Sequence, residues 1–200
     1  SWPAARLKLR RRMSMAGGFH DAKRNGWEQK LNVKAGIALL SLIAGIAMAP
    51  GLVAAEEKPL GTFKDWQAYS FEEGGKTVCV VWGTPQKETG DYTKRGSVRL
   101  FVAHRAWARP KRVNEISIET GYTYKEDSDA VATIGSEKFD MFTDGDTAWN
   151  RAPEDDAKMI RAMRIGTEMV VAAESNRGTK TVDTYSLLGF TAAHNAINDA

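Results

Sequence analysis

The sequence predicts an all-β fold, an antiparallel β-sandwich or partly open barrel carrying two short helices. Three observations carry that expectation. Beyond residue 57 the apolar residues recur mostly at every second position. Glycine-containing turn signals interrupt these runs at short intervals. Only two stretches show helical spacing, 154–165 and 190–197.

The elements follow in order. FKDWQAYSF (63–71) reads as a strand, and KTVCVVWG (76–83) as its partner across the hairpin Glu73-Gly74-Gly75. TPQKETGDYTKRG (84–96) is polar and holds Pro85, Gly90 and Gly96, so it is expected to be a loop. SVRLFVAH (97–104) and VNEISIET (113–120) are strands by their β-branched, alternating residues. AVATIGSEKFDMFT (130–143) is a hairpin turning at Gly135-Ser136, and Asp144-Gly145 marks the next turn. Pro153 opens a helix whose first turn holds Glu154, Asp155 and Asp156. Lys158, Arg161 and Arg164 occupy its later turns, and Gly166 stops it. TEMVVAAES (167–175) and KTVDTYSLL (180–188) flank the turn NRGT, and FTAAHNAI closes the chain as a second helix. The expected core is Trp66, Val78, Val80, Leu100, Val102, Ile116, Ile118, Val131, Ile134, Phe139, Val171, Tyr185, Leu187 and Phe190.

Charge is unevenly distributed. Residues 1–55 hold nine Lys/Arg against two Asp/Glu, whereas residues 56–200 hold 19 against 23. The part with strand periodicity is therefore mildly acidic, which argues against nucleic acid as its partner. From Ala35 to Ala55 no residue is charged, while Lys23, Arg24, Lys30 and Lys34 precede this stretch and Glu56 and Glu57 follow it. That order is a secretory signal, with Val53 and Ala55 as the small pair and cleavage expected after Ala55. Residues 1–55 are thus read as an extension and signal peptide, and 56–200 as the exported domain. It is expected in the periplasm, on the outer membrane or outside the cell. An uncleaved anchor is the alternative. Pro50 and Gly51 leave an apolar core of 15 residues, Ala35 to Ala49, short of the roughly 20 that span a bilayer.

Cys79 is the sole cysteine. A lone thiol is unusual in an oxidising compartment, but a buried strand cysteine serves equally as a small hydrophobe. No nucleophile elbow, phosphate loop, zinc spacing or dinucleotide fingerprint occurs, and no motif joins His104 or His194 to Cys79. Asp140, Asp144 and Asp146 lack the closing Glu of a calcium loop. A non-enzymatic protein without cofactor or metal is expected. The candidate contact surface is HRAWARPKR, where His104, Arg105, Arg109, Lys111 and Arg112 surround Trp107. Such a set suits an envelope or host protein or an anionic surface; it is equally the composition of an exposed loop joining two strands.

Three segments together resemble one family: GTFKDWQAY (61–69), FTDGDTAW (142–149) and MVVAAESNRGTKTVDTYSLLGFTAAHNAI (169–197). They are similar to the invasion-associated locus B family of bacterial envelope proteins, over nearly all of residues 60–197. The resemblance implies a secreted, periplasmic or outer-membrane-associated β-sandwich. Some members are linked to host-cell invasion, and many others belong to bacteria that invade nothing. It brings no catalytic residues onto this chain. Many members carry a cysteine shortly after the first-strand tryptophan, where this chain reads QAYSF; Cys79 matches a second family position. Similar members carry a further cysteine just past the FTAA helix, so the resemblance implies either a disulfide from Cys79 to a residue beyond 200 or a Cys79 that is unpaired. The function expected is binding of an envelope or host component, with a small-molecule or lipid carrier holding its ligand between the sheets as the alternative.

Overall fold

The computed structural model describes residues 57–200; the N-terminal extension, the apolar segment and the cleavage position at Ala55 lie outside the described residues. The strands are β1 (Lys58–Phe63), β2 (Trp66–Glu72), β3 (Thr77–Gly83), β4 (Lys87–Gly90), β5 (Arg99–Arg105), β6 (Arg112–Glu119), β7 (Asp129–Ile134), β8 (Glu137–Asp144), β9 (Thr147–Trp149), β10 (Glu168–Glu174) and β11 (Lys180–Ser186). The helices are α1 (Pro153–Ile165) and α2 (Phe190–Asn198). Neighbouring strands run antiparallel in the order β1-β2-β3-β5-β6-β9-β8-β7-β10-β11-β4. The ladder is open, with β1 and β4 at its edges. It folds over so that β2 faces β11, where the Trp66 indole N–H donates to the Ser186 carbonyl at 3.0 Å.

Period two explains most of this arrangement. Ala68, Val81, Val102 and Ile116 stand in register across four strands. They join Ala130, Ala132, Val171 and Tyr185 from the far half in one core, on which Met159, Met163, Phe190 and Ile197 of the helices pack. Val78 and Val80 are buried as expected, but on the opposite face, beside the stacked rings of Tyr69 and Phe71. Val131 departs from the expected core. The register of β7 turns Ala130, Ala132 and Ile134 inward, leaving Val131 half-buried on the outer face.

The first expected strand is in fact a hairpin. Lys64-Asp65 reverses the chain between β1 and β2, with Lys64 in the left-handed region at φ 58°. β4 lies inside the expected polar loop, where all four residues of KETG are exposed and no apolar alternation marks a strand. Its pairing with β11 supplies the backbone bonds instead. Gly166 ends α1 for a reason other than left-handed geometry. Its φ is −74°, and a Cβ there would lie 2.7 Å from Ile134 Cγ2. Among the described residues no helix is long and apolar enough to cross a membrane.

Candidate functional site

The expected contact surface is divided by strand geometry. β5 continues through Arg105, so alternation sends His104 to the core face and Arg105 to the other. Both are buried, His104 at 8% and Arg105 at 2% exposure, so neither belongs to a contact surface.

His104 serves a latch on α2. The backbone N–H of Asn114 donates to its Nδ1 at 3.0 Å, which leaves the proton on Nε2 for Asn198 Oδ1 at 2.9 Å. His194, on α2, uses Nε2 toward Asn114 Oδ1 at 2.8 Å. Its Nδ1 accepts from Arg164 at 2.9 Å and from Asn198 at 3.1 Å. The two imidazoles meet edge to face at 5.6 Å. Burial first, then the neighbouring His104 and the Arg164 charge, lower the pKa of His194 to about 4. The neutral ring is the one this network needs, because protonation would set an N–H at Nδ1 against the donors of Arg164 and Asn198.

Arg105 is an internal ion-pair residue. Its Nε donates to Glu73 at 2.9 Å and its Nη1 to Glu115 at 3.3 Å. Arg112, half-buried, approaches the other Glu115 oxygen at 3.7 Å. What remains outward is the turn between β5 and β6. Arg109 and Lys111 are exposed and Trp107 is half-buried. The turn is fastened at each step. Ala108 N–H donates to Arg105 O at 3.0 Å, and the Trp107 indole N–H to Thr77 O at 2.9 Å. Arg109 Nη1 donates to Ala108 O at 3.1 Å. Lys76 Nζ stands 5.8 Å from the Trp107 ring centre, and the Arg109–Pro110 peptide is cis.

The acidic stretch around β9 and α1 forms the expected turn and helix. Gly145 takes φ 63°, and Asp146 accepts from the Thr147 hydroxyl at 2.9 Å. Asp156 does more than complement the helix dipole. It is fully buried, accepting from Ile116 N–H at 3.2 Å and from the Asn150 amide at 2.9 Å, and so ties α1 to β6. Among the described residues no group of His, Cys, Asp or Glu is placed to hold a metal ion. Cys79 is a free, buried thiol in the core with Phe190 and Ala193 of α2, and burial raises its pKa.

At the other end of β5 a pocket of about 520 Å³ opens between three loops. It is lined by residues 91–96 before β5, 121–123 after β6, and 175–177, Thr179 and Thr181 around the turn from β10 to β11. Arg95 forms part of its floor. The guanidinium binds both Asp183 oxygens at 2.6 Å, donates from Nε to Thr120 O at 2.7 Å, and lies over the rings of Tyr92 and Tyr122. The pocket lies at the loop end and not between the sheets, where a carrier cavity is expected. The sequence marks it only weakly, because its walls come from three segments, each of which reads alone as a polar turn. Tyr92 and Arg95 in DYTKRG are the local signal, since an aromatic residue and an arginine in an otherwise small, polar loop need a reason.

Against known proteins, the chain matches the family described as Invasion associated locus B (IalB) protein over residues 66–198. No curated protein matches it. Among solved structures, it is similar to the crystal structure of invasion associated protein B from Bartonella henselae, with 14% identity, 70% of this chain and 94% of that chain covered, and a TM-score of 0.48.

Proposed function

For a chain that belongs to the invasion associated locus B family, we propose an exported, non-enzymatic envelope protein that binds an anionic envelope or host component through the turn Trp107–Lys111. The observation that carries this reading is the combination of exposure and fixation in that turn. Arg109 and Lys111 reach solvent, while the Trp107 indole and the Arg109 guanidinium are already bonded to the backbone of Thr77 and Ala108. A turn fixed before contact loses little conformational freedom on binding. Trp among cations is a composition that recurs where binding energy concentrates. Export is supported by the uncharged stretch Ala35–Ala55 between basic and acidic flanks.

The test is capture on vesicles of anionic phospholipid by protein recovered from the envelope fraction. Trp107→Ala with Arg109→Ala should cut capture several-fold, and raising salt toward 0.5 M should do the same, since exposed charges are screened over about 10 Å at 0.1 M. Capture unchanged by both would remove the turn as the contact.

A further inference from the structure

The pocket beside Arg95 is assembled before any ligand arrives. Gly96 N–H donates to Gly121 O at 2.9 Å, joining the first loop to the second. Asn176 N–H donates to Thr123 O at 2.9 Å, joining the second to the third. Within the third loop, the Ser175 hydroxyl accepts from the backbone of Thr179 at 3.1 Å and of Arg177 at 3.3 Å. Tyr122 is pinned through its hydroxyl to Thr181 at 2.6 Å. The Arg95–Asp183 pair fixes the floor, each side chain at most 3% exposed.

The lining then specifies chemistry. Thr93, Thr123, Asn176 and Thr179 present hydroxyl and amide groups. An acyl chain would leave these polar groups unpaired, which is unfavourable; a polyhydroxylated ligand pairs them. Lys94 and Arg177 stand at the rim, exposed, and among the described residues neither side chain makes an ion pair. Asp91 is the one acidic side chain in the lining, so the rim is net cationic. The volume lies in the range of small-molecule sites.

We infer that this pocket binds an acidic saccharide, its hydroxyls held by the threonines and Asn176 and its anionic group by Lys94 and Arg177. The site is separate from the Trp107 turn, so either can fail without the other.

Calorimetric titration of the whole protein with tri-galacturonate tests the inference, with maltotriose as the neutral counterpart and inorganic phosphate as the anion without hydroxyl-rich rings. The expected result is saturable binding of tri-galacturonate, at least about tenfold weaker for maltotriose and for phosphate, and about tenfold or more weaker in Lys94→Ala/Arg177→Ala, the loss expected when charge-assisted contacts go. Both replaced side chains are exposed, and an unchanged unfolding midpoint would show the fold intact. Absence of tri-galacturonate binding at millimolar concentration would overturn the inference, as would equal affinity in the double variant. Equal affinity for maltotriose would remove the anionic requirement, and phosphate binding as tightly would remove the saccharide.

Discussion

Strand β5 has a buried arginine near each end, and the two differ in how completely they are used. Arg95, just before the strand, holds both oxygens of Asp183, a backbone carbonyl and two tyrosine rings. Arg105, the last residue of the strand, pairs with Glu73 and Glu115, yet among the described residues its buried Nη2 has no hydrogen-bond partner. Neither arginine is available to a partner from outside. What each does is hold a surface in place: Arg95 the floor of a pocket, Arg105 the root of the Trp107 turn. A basic residue in a basic string is no evidence of a basic surface. A carboxylate within reach decides where the charge goes, and the outward cations are Lys94, beside Arg95, and Arg109 and Lys111, in the turn that follows Arg105.

If Arg95 is the more fully committed, breaking its pair should cost the most. Asp183→Ala leaves the buried guanidinium with only the partly exposed Glu88 carboxylate, at 3.5 Å, and urea unfolding should show a loss of about 3 kcal/mol or more. A loss below 1 kcal/mol would mean that the pair does not hold the pocket floor.

The next largest effect belongs to the latch behind Arg105. The folded pKa of His194 is about 4, against 6.5 for an unconstrained histidine. The unfolded chain therefore takes up the proton first as pH falls. The contribution is complete above pH 6.5, declines between 6.5 and 4, and levels off below 4. The full loss is about 3 kcal/mol. His194→Gln should flatten that part of the stability profile; an unchanged slope would assign it to other groups.

Glu115→Gln removes one of the two carboxylates on Arg105 and the one facing Arg112, while Glu73 remains. A loss of about 1–3 kcal/mol is expected by chemical denaturation, smaller than for Asp183→Ala. The reverse ranking would invert the comparison. Smallest of all, Trp107→Ala should change stability by no more than about 1 kcal/mol, because the turn keeps its Ala108 and Arg109 bonds while losing its contact to Thr77.

Much of the fold was legible because burial enforces period two: the hairpins at Gly74-Gly75 and Gly135-Ser136, both helices and most of the core can be read directly. The misses share a cause. KETG became a strand through backbone pairing with β11, which side-chain pattern does not report. Lys64-Asp65 turned without glycine or proline, in the left-handed region that lysine seldom occupies. The candidate contact surface was half legible. Trp107, Arg109 and Lys111 do face outward or lie at the surface, but the sequence ends this strand at His104 and does not show that β5 runs on to Arg105 or that both side chains are buried, because the partners that hold them, Asn114, Asn198, Glu73 and Glu115, come from other elements. The pocket was legible only through Tyr92 and Arg95, since bonds between loops made it.

The proposed roles divide binding between the two ends of β5, and one experiment separates them directly. Anionic-vesicle capture is measured for Arg109→Ala/Lys111→Ala and for Lys94→Ala/Arg177→Ala, two variants that each remove two positive charges. The first is expected to lose most of its capture and the second to keep it. Equal losses in both would contradict this division, showing that capture follows net charge and that the Trp107 turn has no special part.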